Sequence, residues 1–71
     1  MAKNLIIVSE TGELFCVDTA TGTIKTLKRD DSFVTAQMAK AGDDPIAAVN
    51  TTTASAIGCE GAVAAVIMVR L

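Results

Sequence analysis

The segment Glu13–Lys28, ELFCVDTATGTIKTLK, decides how this chain folds. In an extended Glu13–Val17, Leu14 and Cys16 fall on one side and Phe15 and Val17 on the other. The loop Asp18–Gly22 then interrupts the apolar run. Asp18 and Thr21 can bond nearby backbone N–H groups, and Gly22 reaches positive φ without steric cost. Thr23–Lys28 resumes as a third, more polar strand. Upstream, the apolar run Leu5–Val8 ends in Ser9-Glu10-Thr11-Gly12, a second Thr-Gly pair ten residues before the first. That spacing predicts an antiparallel three-strand meander with structural turns at Gly12 and at Asp18, Thr21 and Gly22. A phosphate-cradling loop needs more glycine and a following helix, so the pairs read as turns. Ile24 and Leu27 fall on opposite faces by strict alternation, which calls for a bulge or for partial cover on both faces. Lys25, Lys28 and Arg29 suit an exposed or edge strand.

Within this stretch, Gly12–Leu27 resembles the central hairpin of a β-propeller blade of the quinoprotein-like repeat type. Gly12, Leu14, Val17, Asp18, Thr21, Gly22 and Ile24 match the blade pattern, while Leu27 stands near where that family often has Trp. The resemblance covers 16 of 71 residues and implies a hairpin. It does not imply the family's cofactor chemistry, because a propeller typically closes with 4–8 blades.

Further along, Ser32–Ala41 carries both patterns. Its first residues alternate as a strand would, and its AQMAKA interior favours helix. The balance favours a short helix capped by Asp31 or Ser32, ended by Gly42-Asp43-Asp44-Pro45. Ile46–Val49 reads as a short strand, and Asn50–Ala56 as loop or strand. Ala62–Leu71 reads as the longest strand, with Val66–Val69 buried on both faces, so it requires cover from the helix or from another subunit. The expected fold is a small, β-rich, mainly antiparallel single domain over residues 1–71.

Composition narrows the function. Hydrophobic residues make up 51% of the chain, but much of this is Ala and Val, and Phe15 and Phe33 are its aromatics. A thin core in so short a chain favours self-association into a homo-oligomer. Eight acidic and six basic residues leave a net charge of -2, which disfavours a nonspecific nucleic-acid binder. The Gly61–Val69 run is too short for a membrane span of about 20 residues. Leu5–Val8 lacks a cleavage site and is too short for a leader. A cytoplasmic protein, or a particle assembled there, is therefore expected, with Cys16 and Cys59 as free buried thiols.

The chain contains no histidine, which removes His-based triads and the usual proton shuttle. Cys59 has no base beside it and Glu60 opposes thiolate formation. Asp30-Asp31 and Asp43-Asp44 lack calcium-loop spacing. No catalytic, metal or cofactor residue is assigned. The hydroxyl-rich Thr51, Thr52, Thr53 and Ser55, with Cys59, mark a possible ligand or intersubunit site, and Ile67 a possible interface or core position. The sequence thus favours a noncatalytic, self-assembling structural or accessory protein, viral or cellular. The alternative is a small ligand- or partner-binding module built near residues 51–60.

Overall fold

The computed structural model describes residues 4–70. Among these, five strands and two helices follow the order β1 (Asn4–Ser9), β2 (Leu14–Asp18), β3 (Thr23–Thr26), α1 (Asp31–Ala41), β4 (Ile46–Ala48), α2 (Thr51–Ala56) and β5 (Ala64–Val69). They form one sheet in the order β3-β2-β1-β5-β4. The three N-terminal strands are the expected meander, with Ile6 opposite Cys16 and Cys16 opposite Lys25. After β3 the chain crosses by α1 to the far edge. It then returns by α2 and inserts β5 between β4 and β1, parallel to β1.

The two hairpin loops close as their chemistry requires. At the first, the Gly12 N–H donates to Ser9 O at 3.0 Å and the Glu13 N–H to Ser9 Oγ at 2.9 Å. Gly12 sits at φ +85°, and Arg29 Nη2 lies 2.9 Å from where a Cβ would stand. The same Nη2 donates to Thr11 O at 3.0 Å, so the guanidinium clips this turn to the start of α1. At the second, the Gly22 N–H donates to Asp18 O at 2.7 Å and the Ala20 N–H to Asp18 Oδ1 at 2.9 Å. Gly22 has φ +74° with open space around it, so a substitution there is penalised by the backbone alone. Gly22→Val should cost roughly 1–2 kcal/mol or more. Thr21→Ala removes two exposed contacts, a 2.8 Å bond between the Thr21 and Thr23 hydroxyls and a 3.3 Å acceptor for the Thr23 N–H, and should cost about 0.5 kcal/mol or less. Thermal melts compare the two, and equal small shifts would refute the turn assignment.

α1 resolves the ambiguity of residues 32–41 in favour of helix. Its cap is Asp30, one residue earlier than expected, whose Oδ1 accepts from the Phe33 N–H at 3.0 Å. Asp31 in the first turn and Lys40 in the last complement the helix dipole. Gly42 ends the helix, its N–H donating to Met38 O. Asn50–Ala56 departs from the loop or strand expected. Asn50 Oδ1 accepts from the Thr52 N–H at 2.8 Å, and Thr51–Ala56 winds into a short helix. The cap and the complete burial of Ala54 outweigh the poor helix propensity of three threonines.

Both helices contribute to one core on one side of the sheet. Ile6, Val8, Leu14, Cys16, Ala47, Ala65 and Ile67 point inward and meet Phe33, Val34 and Ala54 from the helices. Leu27, just beyond β3, joins them, and its N–H donates to Leu14 O at 2.8 Å. Simple alternation therefore holds through β3: Leu27 faces in, Ile24 faces out, and no bulge is needed. The bulge lies instead in β5, between the pairs Ile7–Val66 and Ser9–Val69, with Met68 at φ +63°. Cover on both faces of Val66–Val69 is not found. Ile67 is buried, Val66 and Val69 are partly buried and Met68 is half exposed, because both helices lie against the same face.

The cysteines also depart from expectation. Cys16 and Cys59 form a disulfide across a Cα separation of 5.4 Å. The path through α2 returns Cys59 over the inner face of β2, 43 residues from its partner. They are not free thiols.

Candidate functional site: an uncovered sheet face

The register of the strands places the outward side chains in two rows. One row runs Thr26, Phe15, Ile7, Val66, Ile46 across β3, β2, β1, β5 and β4. The next runs Ile24, Val17, Leu5, Ala64, Ala48. Nine of these ten residues are apolar, Thr26 being the exception, and none carries a charge. Ile24 and Ile46, at the two ends, are 64% and 58% exposed. The central members are half-buried.

Five strands at ~4.8 Å spacing and about five residues at ~3.4 Å give a footprint on the order of 400 Å². That is the size at which a surface patch on a small protein is often functional. Two such faces in contact would bury on the order of 800 Å², the low end of the interface range, where association is weak or transient.

The sheet edges are less available. β3 is followed by Lys28 and Arg29, and Lys25 lies within it. β4 has three residues and is preceded by Asp43-Asp44-Pro45. Pro45 O accepts from the Ile67 N–H and the Val49 N–H donates to Val63 O. Ile46 and Ala48 therefore turn their backbone groups outward, and Gln37 Nε2 caps Ala48 O at 3.3 Å. Charge, proline, brevity and a capping side chain are the means by which proteins discourage pairing at sheet edges.

The residues singled out from sequence are dispersed. Gly12, Asp18, Thr21 and Gly22 form the two turns. Ile67 is inside the core at 7% exposure, and Cys59 is buried in the disulfide. Thr51, Thr52, Thr53 and Ser55 are all exposed on α2, but they do not converge. Thr52 and Thr53 line a groove of about 540 Å³ between the helices, with Phe33 and Ile57 in its walls. Ser55 lines a separate notch of about 480 Å³ with Asn4, Asp18, Lys25 and Glu60. Among the described residues, no group of three or more His, Cys, Asp or Glu is placed to hold a metal ion. No helix among them is long and apolar enough to cross a membrane.

The uncovered face was not recognised from the sequence, although its signal was present. Val66–Val69 was expected to be buried on both faces, whereas the helices cover one. No family model, curated protein or solved structure matches this chain.

Proposed function

We propose that this protein is a noncatalytic, self-associating structural or accessory component whose contact surface is the outer face of the sheet. One observation carries the reading: two rows of outward side chains cross all five strands without a charge. The edges are blunted, which leaves the face as the route to a second copy. Burying that face supplies the apolar area that a chain of 71 residues lacks alone.

The setting is part of the proposal. The free thiols expected of a cytoplasmic chain are not found, because Cys16 and Cys59 are bonded to each other. A persistent disulfide favours an oxidising compartment or an assembled particle outside the reducing interior.

Ile7 lies at the centre of the face, on the middle strand, and tests the proposal. Ile7→Asp should leave the far-ultraviolet circular dichroism unchanged while shifting sedimentation from oligomer to monomer. A carboxylate trapped in an apolar interface should weaken association by at least about 100-fold. A wild-type chain that sediments as a monomer throughout the micromolar range would defeat the proposal.

A second reading rests on the groove between the helices, where Thr52 and Thr53 stand opposite Phe33. It makes the protein a small-ligand module. Native mass spectrometry of host-purified material separates the two, since a retained nonprotein mass supports the ligand and homomers without one support assembly.

A further inference from the structure

The inner face of the sheet turns polar at one end. Asn4, Asp18 and Thr23 stand side by side there on β1, β2 and β3, and the next row is Ile6, Cys16 and Lys25. The first row, with Cys16 and Lys25, forms one wall of the notch of about 480 Å³. The end of α2 and the turn after it form the other wall, which carries Glu60. Cys16 borders the notch and Cys59 does not, and their exposures are 7% and 0%. One half of the disulfide is thus open to the notch while the other is sealed in the core.

We infer that Cys16 is a thiolation site, at which a small thiol entering through the notch exchanges with the Cys16–Cys59 bond. The incoming thiolate sulfur bonds to Cys16 Sγ as the bond to Cys59 breaks. The electron pair leaves on the Cys59 sulfur, which takes a proton from solvent. Leu5 O stands 3.9 Å from that Sγ and accepts from the new S–H. The product is a mixed disulfide on Cys16 and a free buried thiol at Cys59. The notch lies on the helix side of the sheet, so contact through the outer face leaves it open.

The charges around the notch select the thiol. Asp18 and Glu60 supply two carboxylates and Lys25 one ammonium, whose Nζ donates to Gly58 O at 3.5 Å. The sum is negative, which favours an aminothiol over a thiol bearing a carboxylate. With rates corrected for thiolate fraction and intrinsic reactivity, cysteamine should react about 5-fold faster than 3-mercaptopropionate at low ionic strength. Glu60→Gln brings the sum to zero and should largely remove this preference. Glu60 is exposed, and glutamine keeps the acceptor for Ser55 Oγ.

Two measurements test the site. In the first, cystamine is added to Cys59→Ala and Cys16→Ala, each checked for folding by circular dichroism. Cys16 in the former should be modified at least about 30-fold faster than Cys59 in the latter, because a sealed thiol reacts only when the chain opens. In the second, which holds even where the single-cysteine variants do not fold, cysteamine reduces the wild-type bond across urea concentrations below the unfolding transition. Attack through the notch should proceed at a rate that stays flat with urea. A rate that climbs steadily with urea would mean that the bond is reached only by unfolding, and the inference fails. Equal modification of the two single-cysteine variants, or equal rates for the cationic and anionic thiols, would overturn it as well.

Discussion

Ile67→Asp should unfold the chain at every protein concentration. Ile67 is on the inner face of β5 at 7% exposure, and its N–H donates to Pro45 O at 2.7 Å. Phe33 and Val34 of α1 belong to the same buried cluster. A carboxylate there has no cation among the buried residues to pair with, so the site must protonate it, hydrate it or open. The cost should be at least about 3–5 kcal/mol, comparable with the whole stability of a small domain. Its contrast with Ile7→Asp is the informative part, because the two residues sit on adjacent strands and face opposite ways. The outer substitution should abolish association and spare the circular dichroism signal, whereas the inner one should abolish both. A folded Ile67→Asp chain would show that the assignment of inner and outer faces is inverted.

The same contrast explains what could be read from the sequence. Turns were legible because their chemistry is local: Asp18, Thr21 and Gly22 specify a reversal wherever they occur between strands, and Gly22 has the required positive φ. α1 was nearly legible, with its cap displaced by one residue to Asp30. α2 was not, since its formation depends on Ala54 finding a buried site beneath it. The insertion of β5 beside β1 was equally hidden, because parallel pairing between residues some sixty positions apart leaves no local mark. Nor could the spacing of Cys16 and Cys59 reveal their bond, which depends on where α2 returns the chain.

The apolar runs posed a different problem. Leu5–Val8 is a strand flanked by β2 and β5, but hydrophobicity alone cannot say whether a cover comes from the same chain. With α1 and α2 on one face, the apolar residues opposite become the candidate site. The hydroxyl-rich segment that drew attention in the sequence is instead the exposed surface of a short helix, divided between two hollows.

Reduction of the Cys16–Cys59 bond should lower the unfolding free energy by about 4 kcal/mol, on the chain-entropy estimate for a loop of this length. The bond joins the inner face of β2 to the segment after α2, and so holds a sheet strand to the helical layer across 43 residues. Few large side chains replace that link, because the buried core has Phe33 as its one aromatic and otherwise relies on Ile6, Leu14, Leu27, Ile67 and smaller residues. In urea, the wild-type midpoint should fall sharply once reductant has released both thiols, as confirmed by thiol titration. Cys16→Ala/Cys59→Ala should begin near the reduced midpoint and not respond to reductant. An unchanged midpoint in fully reduced protein would show that packing alone carries the fold. Assembly should follow the same transition, since Phe15 and Val17 of the outer face stand on the strand that Cys16 anchors. Loosening β2 disorders one half of the proposed contact surface, so on that proposal reduced protein should lose specific association at urea concentrations where oxidised protein keeps it.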